Sequence, residues 1–211
     1  MGSNIFRAHF ISLAFLDKDG GVIGVKNFSV KPSEKCKLTH DLFTTAVAIL
    51  PNHDCMSYST VVLDDSSLSF IEEKFNHIKY KSGQMMAIHT LYNMTRAGKL
   101  SPLRFCKSIL KNYDKALSRS YQSFIMENLF GKIYGVYLTK KETDSISSDI
   151  FKLCFQMLKT NSMIEGVTEF FLIRSCRFKQ EIEQLYQFCI SCSLDIKKKL
   201  DLLRIINLTS I

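Results

Sequence analysis

The sequence predicts an α+β protein in which a small N-terminal antiparallel β-sheet precedes a mainly α-helical C-terminal two-thirds, arranged as a helical bundle or an irregular array. Three observations support this prediction. Segments rich in β-branched and aromatic residues, separated by turn residues, dominate the first third of the chain. Apolar residues then recur at helical spacings of three and four. With 211 residues, of which 46% are hydrophobic, the chain can bury a substantial core.

The first two β-rich segments predict a hairpin. Residues 5–16 and 22–30 are rich in Phe, Ile, Leu and Val, and the Asp-Lys-Asp-Gly-Gly sequence between them is typical of a tight turn. Gly20 or Gly21 can take the positive φ that such a turn requires. Residues 56–63 are a third strand candidate, which we expect to pair with the hairpin.

Two helices are predicted around this third strand. Thr39 can cap a helix whose apolar residues, between positions 42 and 50, would lie on the sheet before Pro51 ends it. Another helix begins after a Ser66-Ser67 cap and places apolar residues at helical spacing up to Ile78.

A Lys-Ser-Gly sequence at residues 81–83 marks the predicted change from mixed to helical structure. We therefore divide the chain into a mixed α/β part, residues 1–81, and a helical part, residues 82–211, which pack together as one compact unit. Ser82 can cap the first helix of the second part, and Gly98 can end it.

Residues 101–131 carry the clearest helical signal. Their Ser-Pro opening suits a helix N-terminus, and the glycine at position 131 suits a left-handed residue after the C-terminus. An alternative is a break near residues 112–114, with Asp114 capping a second helix. The apolar side chains that recur on one predicted face are Leu103, Cys106, Leu110, Tyr113, Leu117, Tyr121 and Phe124.

The remainder of the chain predicts further helices after one short β-like segment. Residues 133–138 read as an extended connector or an edge strand. Thr139 with Glu142 and Ser162 with Glu165 have capping-box spacing. Three later helices have predicted core faces within residues 146–157, 182–189 and 196–206.

A row of cations follows the central helical signal. Four basic residues lie four positions apart, so that on one continuous helix they form a single line. Like charges at this spacing repel by roughly 0.2–0.5 kcal/mol per pair, which an anionic partner would offset. The alternative is a solvated face whose lysine stems cover apolar neighbours. The predicted nucleic-acid-binding residues are Lys107, Lys111, Lys115 and Arg119, with Lys99 and Arg104 nearby.

Net charge supports a polyanionic partner. The chain has a formal net charge of +8, and residues 1–100 hold 11 Lys and Arg against 9 Asp and Glu, which leaves 17 against 11 for residues 101–211. The helical part is therefore the more basic, and such a balance favours association with nucleic acid.

The number and spacing of the cysteines predict the cellular compartment of the protein. Seven cysteines at irregular spacing, with no secretory leader, are typical of reduced thiols in the cytoplasm or nucleus rather than of a secreted protein. No apolar run is long enough to predict a transmembrane helix. Three prolines, no tryptophan and abundant Lys, Ile and Phe are typical of an AT-rich coding sequence, as in many viral or parasite genes.

The sequence contains no metal-site pattern of recognised spacing, although Cys36, His40, His53 and Cys55 could together supply four ligands. Cys189 and Cys192 have CxxC spacing, but Cys176 is the nearest further thiol and a fourth ligand is missing. The pairs Cys36 with His40 and His53 with Cys55 have the right residue types without a recognised finger spacing. We therefore predict no metal site and no cofactor.

Catalysis is also not predicted. Asp64 and Asp65 follow an apolar segment, as Mg²⁺ ligands do in nucleotide hydrolases, but no phosphate-binding glycine loop accompanies them. A small enzyme would require a pocket that gathers Asp64, His53 and Cys55.

Together these patterns predict a non-enzymatic, basic protein, a viral accessory or structural protein, that binds RNA or another polyanion through the cation row. The same charges also predict contact with an anionic membrane surface as an alternative to RNA. The alternative from a different class is a protein-interaction scaffold whose binding surface is an exposed groove between helices.

Overall fold

The computed structural model describes residues 8–31, 37–57, 59–113, 119–160, 167–176, 178–191 and 196–209. The predicted α+β class is confirmed, with an antiparallel sheet near the N-terminus and helices in the later part of the chain. The chain divides into two compact units, Met1–Asp114 and Lys115–Ile211. The change near residues 81 and 82 lies inside the first unit, where it coincides with the start of a helix.

The first unit begins with the predicted hairpin. Strands β1 (His9–Leu16) and β2 (Val22–Val30) pair in antiparallel register, and β1 also pairs with β3 (Ala48–Pro51), which gives the order β2-β1-β3. Gly20 has a φ of +80°, as the turn requires, and a Cβ there would collide with the carbonyl group of His77.

The third strand is not the predicted one. Residues 59–64 form no strand. Val61 and Leu63 are buried and Val62 is exposed, so the side chains alternate between buried and exposed as they would in a strand, but the segment pairs with none of the described strands. The helix predicted from Thr39 is also too long, because α1 covers only Leu42–Thr45 and the following aliphatic residues form β3. β1 is central and needs a neighbour on both edges, which β3 supplies.

Three longer helices complete the first unit. These are α2 (Asp65–Lys74), α3 (Lys81–Arg96) and α4 (Pro102–Asn112), and a 3₁₀ turn at Phe75–His77 follows α2. The N-cap of α2 is Asp64 rather than the predicted serines, and the N-cap of α3 is Tyr80 rather than Ser82. Gly98, with a φ of +68°, ends α3 as predicted.

The core of the first unit lies between the sheet and these helices. α2 packs against β3 and α4, and α3 packs against α4 and the 3₁₀ turn. The fully buried side chains include Phe15, Leu50, Ile71, Ile88, Leu91, Phe105 and Ile109.

The single helix predicted over residues 101–131 is wrong, whereas the alternative, a break near residues 112–114, is confirmed; the cap predicted at Asp114 lies outside the described residues. α4 ends at Asn112, where Tyr113 has an extended ψ of 105°, and residues 114–118 lie outside the described residues. Gly131 is also no terminator, because its φ of −60° continues a helix. The buried face of α4 centres on Phe105 and Ile109 rather than on the predicted Leu103 and Leu110, which are half-buried.

The second unit opens with consecutive helical segments. α5 (Arg119–Phe124) continues into a π-helical turn (Ile125–Phe130) and then α6 (Gly131–Val136). The extended connector predicted at residues 133–138 is therefore wrong. Ile133 and Tyr134 bury their side chains from a helix, and this burial outweighs their β-propensity.

Four further helices follow, named α7 (Lys140–Lys159), α8 (Val167–Ser175), α9 (Lys179–Ser191) and α10 (Ile196–Thr209). The predicted capping box is confirmed: the Thr139 N–H donates to the Glu142 carboxylate at 2.9 Å, and the Glu142 N–H donates to the Thr139 hydroxyl at 3.3 Å. The second predicted capping box, from Ser162, lies outside the described residues.

An aromatic cluster holds α6 and α8 together. The rings of Phe130 and Tyr134 stack with centroids 5.9 Å apart, and the edge of Phe171 meets both, at 5.3 Å and 5.6 Å. α8 packs in turn against α7 and α10. This packing fixes which side of α8 is buried and which is open.

Candidate interaction surfaces

The predicted row of cations is not carried by one described helix. Lys107 and Lys111 lie on α4 in the first unit, whereas Arg119 begins α5 in the second unit and its side chain is not described. Lys115 lies outside the described residues. The spacing of four residues therefore does not establish a line of four charges.

Two of the predicted cations have acidic partners on α2. Arg104 forms an ion pair with Glu72, and Lys111 forms one with Glu73. The hydroxyl of Ser108 donates to the backbone carbonyl of Glu72 at 2.8 Å, so α4 is held against α2 at this point. Ion pairs with α2 thus offset part of the positive charge of α4.

These side chains line a groove of about 350 Å³ between α2 and α4. Three cations, Arg104, Lys107 and Lys111, face two carboxylates there, which leaves one net positive charge. Lys107 is exposed and has no ion pair with any acid in the part of the chain that the structure describes, and the same holds for Lys99. The acids come from more than 30 positions earlier in the sequence, so helical spacing alone did not reveal them.

A second groove, of about 460 Å³, lies in the second unit and is mainly apolar. One wall is formed by the π-helical turn and α6, and the other by the start of α8. Single π-helical turns are rare and often lie at functional sites. The residues that line this groove are Met126, Glu127, Gly131, Lys132, Val136, Phe170 and Phe171.

Phe170 is the most prominent aromatic side chain of this groove. It remains 41% exposed, while the guanidinium of Arg174, one turn later on α8, lies 4.6 Å from its ring centroid. This cation–π contact keeps the ring in one orientation on the open side of the helix. The groove therefore presents a partly exposed aromatic ring to solvent.

Each of the last three helices has a second apolar face. α8 carries apolar residues on all sides, a composition typical of a helix that is covered all round. On each helix one apolar pair is buried and another is exposed. The buried and exposed pairs are Phe171 and Leu172 with Phe170 and Ile173 on α8, Leu185 and Cys189 with Tyr186 and Ile190 on α9, and Leu202 and Ile206 with Leu200 and Leu203 on α10.

Asp64, His53 and Cys55, the side chains that a small enzyme would have to gather in one pocket, do not line either of the two grooves described above. Asp64 is occupied as the N-cap of α2, where its carboxylate accepts from the Ser67 N–H at 2.9 Å. The His53 ring meets the edge of Tyr80 at 5.8 Å, and the Cys55 thiol lies 3.5 Å from the sulfur of Met86. His53 and Cys55 thus both lie near Tyr80, whose pKa is raised to about 12 by burial and by the nearby Cys55 and Asp54, whereas Asp64 serves the start of α2.

The candidate metal ligands are also dispersed. Cys176 and Cys189 are buried, and the Nδ1 atom of His40 accepts from the Leu42 N–H at 3.1 Å. Cys36 and Cys192 lie outside the described residues. Among the residues that the structure describes, no group of three or more His, Cys, Asp or Glu side chains is placed to hold a metal ion.

Two further findings concern membrane-spanning helices and similarity to known proteins. No helix in the described part of the chain has both the length and the apolar character needed to cross a bilayer. Comparisons with protein-family models, curated proteins and solved structures found no match for this chain.

Proposed function

We propose that this chain is a non-enzymatic protein-interaction domain whose second unit binds an amphipathic helix of a partner protein in its apolar groove. The observation that carries the proposal is the open apolar surface of α8, where Phe170 and Ile173 are 41% and 38% exposed beside the groove. Exposed apolar patches next to a concave surface are typical of protein-binding sites.

The chemistry of the groove favours a helix as the occupant. Its wall runs from Met126 to Val136, about three helical turns at 1.5 Å per residue, which suits apolar side chains at positions i, i+3 or i+4, and i+7. Lys132 and Glu127 lie on the same wall and can pair with charges that flank the apolar face of the partner.

The proposal is tested by site-specific photo-crosslinking in the cells that produce the protein. A photoreactive residue replaces Phe170 or Ile173, and Lys152, which is exposed on α7, serves as the control position. We expect adducts from positions 170 and 173 that map to the apolar face of a helix in one partner protein. Truncating Phe170 to Ala should weaken binding of that partner by about 30-fold, as for an interface hot spot of about 2 kcal/mol.

Three results would argue against the proposal. These are adducts that arise equally from position 152, adducts that map to extended or disordered partner segments, and no protein adducts at all. Circular dichroism of the Phe170→Ala variant controls for misfolding, since the exposed side of Phe170 predicts a small loss of stability.

A second candidate function is binding to RNA or another polyanion, and Lys107 favours it. This side chain is exposed, faces the groove between α2 and α4, and has no ion pair with a described acid. The first unit also holds 14 Lys and Arg against 10 Asp and Glu. Because Glu72 and Glu73 compete for the neighbouring cations, we rank this function second.

This second candidate has a direct test. Binding to single-stranded RNA should weaken steeply as salt concentration rises, and Lys107→Glu should lower affinity and reduce the salt dependence, whereas Lys152→Glu should do so less. Equal effects of both variants would indicate non-specific attraction to net charge.

The cysteine content and the composition support our further proposal of a cytoplasmic or nuclear protein of viral origin.

A further inference from the structure

The turn that joins α6 to α7 exposes apolar side chains. Val136 is 76% exposed and Tyr137 is 45% exposed, and they follow each other at the C-terminal end of α6. Gly135, just before them, is also exposed. A Val–Tyr pair with this exposure is costly in water unless another phase or molecule covers it.

Three lysines surround this turn. Lys132 lies one turn before Val136 on α6, and Lys140 and Lys141 form the first turn of α7. All three are exposed, and none forms an ion pair with an acid in the part of the chain that the structure describes. Cations in the first turn also oppose the dipole of α7, so their placement does not favour the helix itself.

The nearest acid in sequence does not neutralise these lysines. The carboxylate of Glu142 accepts hydrogen bonds from both the backbone N–H and the hydroxyl of Thr139, at 2.9 Å and 2.7 Å. These hydrogen bonds from the Thr139 backbone and side chain lower the pKa of Glu142, so the carboxylate stays ionised within the capping box. The turn therefore combines an apolar pair with three cations, and the other nearby acids, Glu127 and Asp144, form no ion pair with these lysines in the described part of the chain.

We propose that the α6–α7 turn is a peripheral membrane-binding site for an anionic lipid bilayer. In this arrangement Val136 and Tyr137 enter the interfacial layer, where tyrosine is favoured because one end of its ring is apolar and the other polar. Lys132, Lys140 and Lys141 contact the lipid phosphates, and their aliphatic stems can lie along the headgroup layer.

Charge and exposure together favour a bilayer over other occupants. A nucleic acid would contact the lysines but would gain little from Val136. A protein partner bound in the apolar groove would not contact the lysines at the start of α7. The site differs from the predicted cation row, but it shares Val136 and Lys132 with the apolar groove, so Tyr137, Lys140 and Lys141 are the residues that distinguish it from the proposed function. Tyr137, Lys140 and Lys141 do not line the apolar groove, so substitutions there test this site separately.

The test uses the full chain and vesicles of phosphatidylcholine with or without phosphatidylserine. Lys140→Glu with Lys141→Glu should reduce binding to the anionic vesicles by more than about tenfold, because each lysine near such a surface contributes roughly fivefold. The matched control, Lys152→Glu with Lys179→Glu, makes the same change in net charge at exposed positions of α7 and α9 and should reduce binding severalfold less.

The apolar pair has its own probe, because the chain contains no tryptophan. The Tyr137→Trp variant should show a blue-shifted emission on anionic vesicles and quenching by brominated lipids. Tyr186→Trp, at a site on α9 with nearly the same exposure (42%), should show neither change.

Several results would overturn the proposal. These are equal losses in the two double variants, equal binding to vesicles without phosphatidylserine, absence of vesicle binding, and a Tyr137→Trp emission that does not change on vesicles. Displacement of the vesicles by single-stranded RNA, together with unaltered binding of a Tyr137→Ser variant, would reassign the lysines to a polyanion.

Discussion

Substitution of Asp64 tests how the first unit links its sheet to its helices. The Asp64 carboxylate accepts hydrogen bonds from the Ser67 N–H at 2.9 Å and from the Ser66 and Ser67 hydroxyls at 2.6 Å each. The Ser67 hydroxyl oxygen in turn accepts the Ile49 N–H of β3 at 2.8 Å. One carboxylate therefore supports both the start of α2 and the position of β3.

The expected cost of Asp64→Ala follows from these bonds. Loss of the N-cap costs about 1 kcal/mol, and the fully buried Ser67 hydroxyl loses a charged acceptor, which costs about 1–2 kcal/mol more. The total, about 2–3 kcal/mol, corresponds to roughly 30-fold to 150-fold faster exchange of the Ile49 amide hydrogen, since 1.4 kcal/mol is tenfold. Asp65→Asn, which removes an exposed first-turn charge, should cost about 0.5 kcal/mol.

The same carboxylate predicts a pH dependence. Burial raises the pKa of Asp64, but the hydrogen bonds from Ser66 and Ser67 more than offset it, so the pKa lies below its ordinary value of 3.8. A lowered folded-state pKa means that this stabilisation is present above the unfolded-state pKa and is lost as pH falls through the folded-state pKa. The difference between wild type and Asp64→Ala should therefore shrink below pH 3.8.

Amide hydrogen exchange read at Ile49 is the appropriate assay, because it reports on the first unit even if the second unfolds separately. An acceleration of less than about threefold by Asp64→Ala, or an equal effect of Asp65→Asn, would show that the Asp64 carboxylate does not link α2 to β3.

Three further predictions concern other parts of the chain. Gly98→Ala should destabilise by about 1 kcal/mol in urea unfolding because of its positive φ, and Gly20→Ala should cost more because its Cβ would also collide with a backbone carbonyl. Arg104→Ala should cost about 1 kcal/mol or less, with a smaller effect at high salt, because an exposed ion pair is screened. In the native protein a maleimide should label the exposed Cys55 thiol and spare the Cys154 thiol, because burial raises the pKa of Cys154 to about 12. Mass spectrometry of the labelled peptides checks this, and labelling of Cys154 in preference to Cys55 would contradict it.

Features set by local chemistry were predictable from the sequence. The hairpin, the glycine at position 98 and the capping box at Thr139 each depend on residues within a few positions of one another. In these cases the conformational preference of one residue, or one side chain bonding to a nearby amide, determines the structure. The α+β class was predictable for the same reason, because the class follows from many such local signals along the chain.

Features set by distant neighbours were not predictable. The β-branched and aromatic residues at 133–138 favour a strand in isolation, but Ile133 and Tyr134 find their burial from a helix. Residues 48–51 continue an apolar pattern that fits a helix, yet β1 pairs with them as a strand. Tertiary contacts decided both outcomes.

The candidate surfaces illustrate the same limit. Helical spacing placed Lys107 and Lys111 on one helix correctly, but it carried the row past the end of α4 and could not reveal Glu72 and Glu73 opposite. The apolar groove was missed because Phe170 looks like a core residue in any periodicity analysis. Only the packing of Phe171 on the other side of α8 shows that Phe170 is left open.

We propose that this chain binds its partner through the apolar groove at Phe170 rather than through the cations of α4. The most direct measurement compares, in the same cells, photo-crosslinked adducts from position 170 with those from position 107. We expect a discrete protein adduct from position 170. From position 107 we expect no more RNA adduct than from the control position 152. RNA adducts concentrated at position 107, with no protein adduct at position 170, would contradict it.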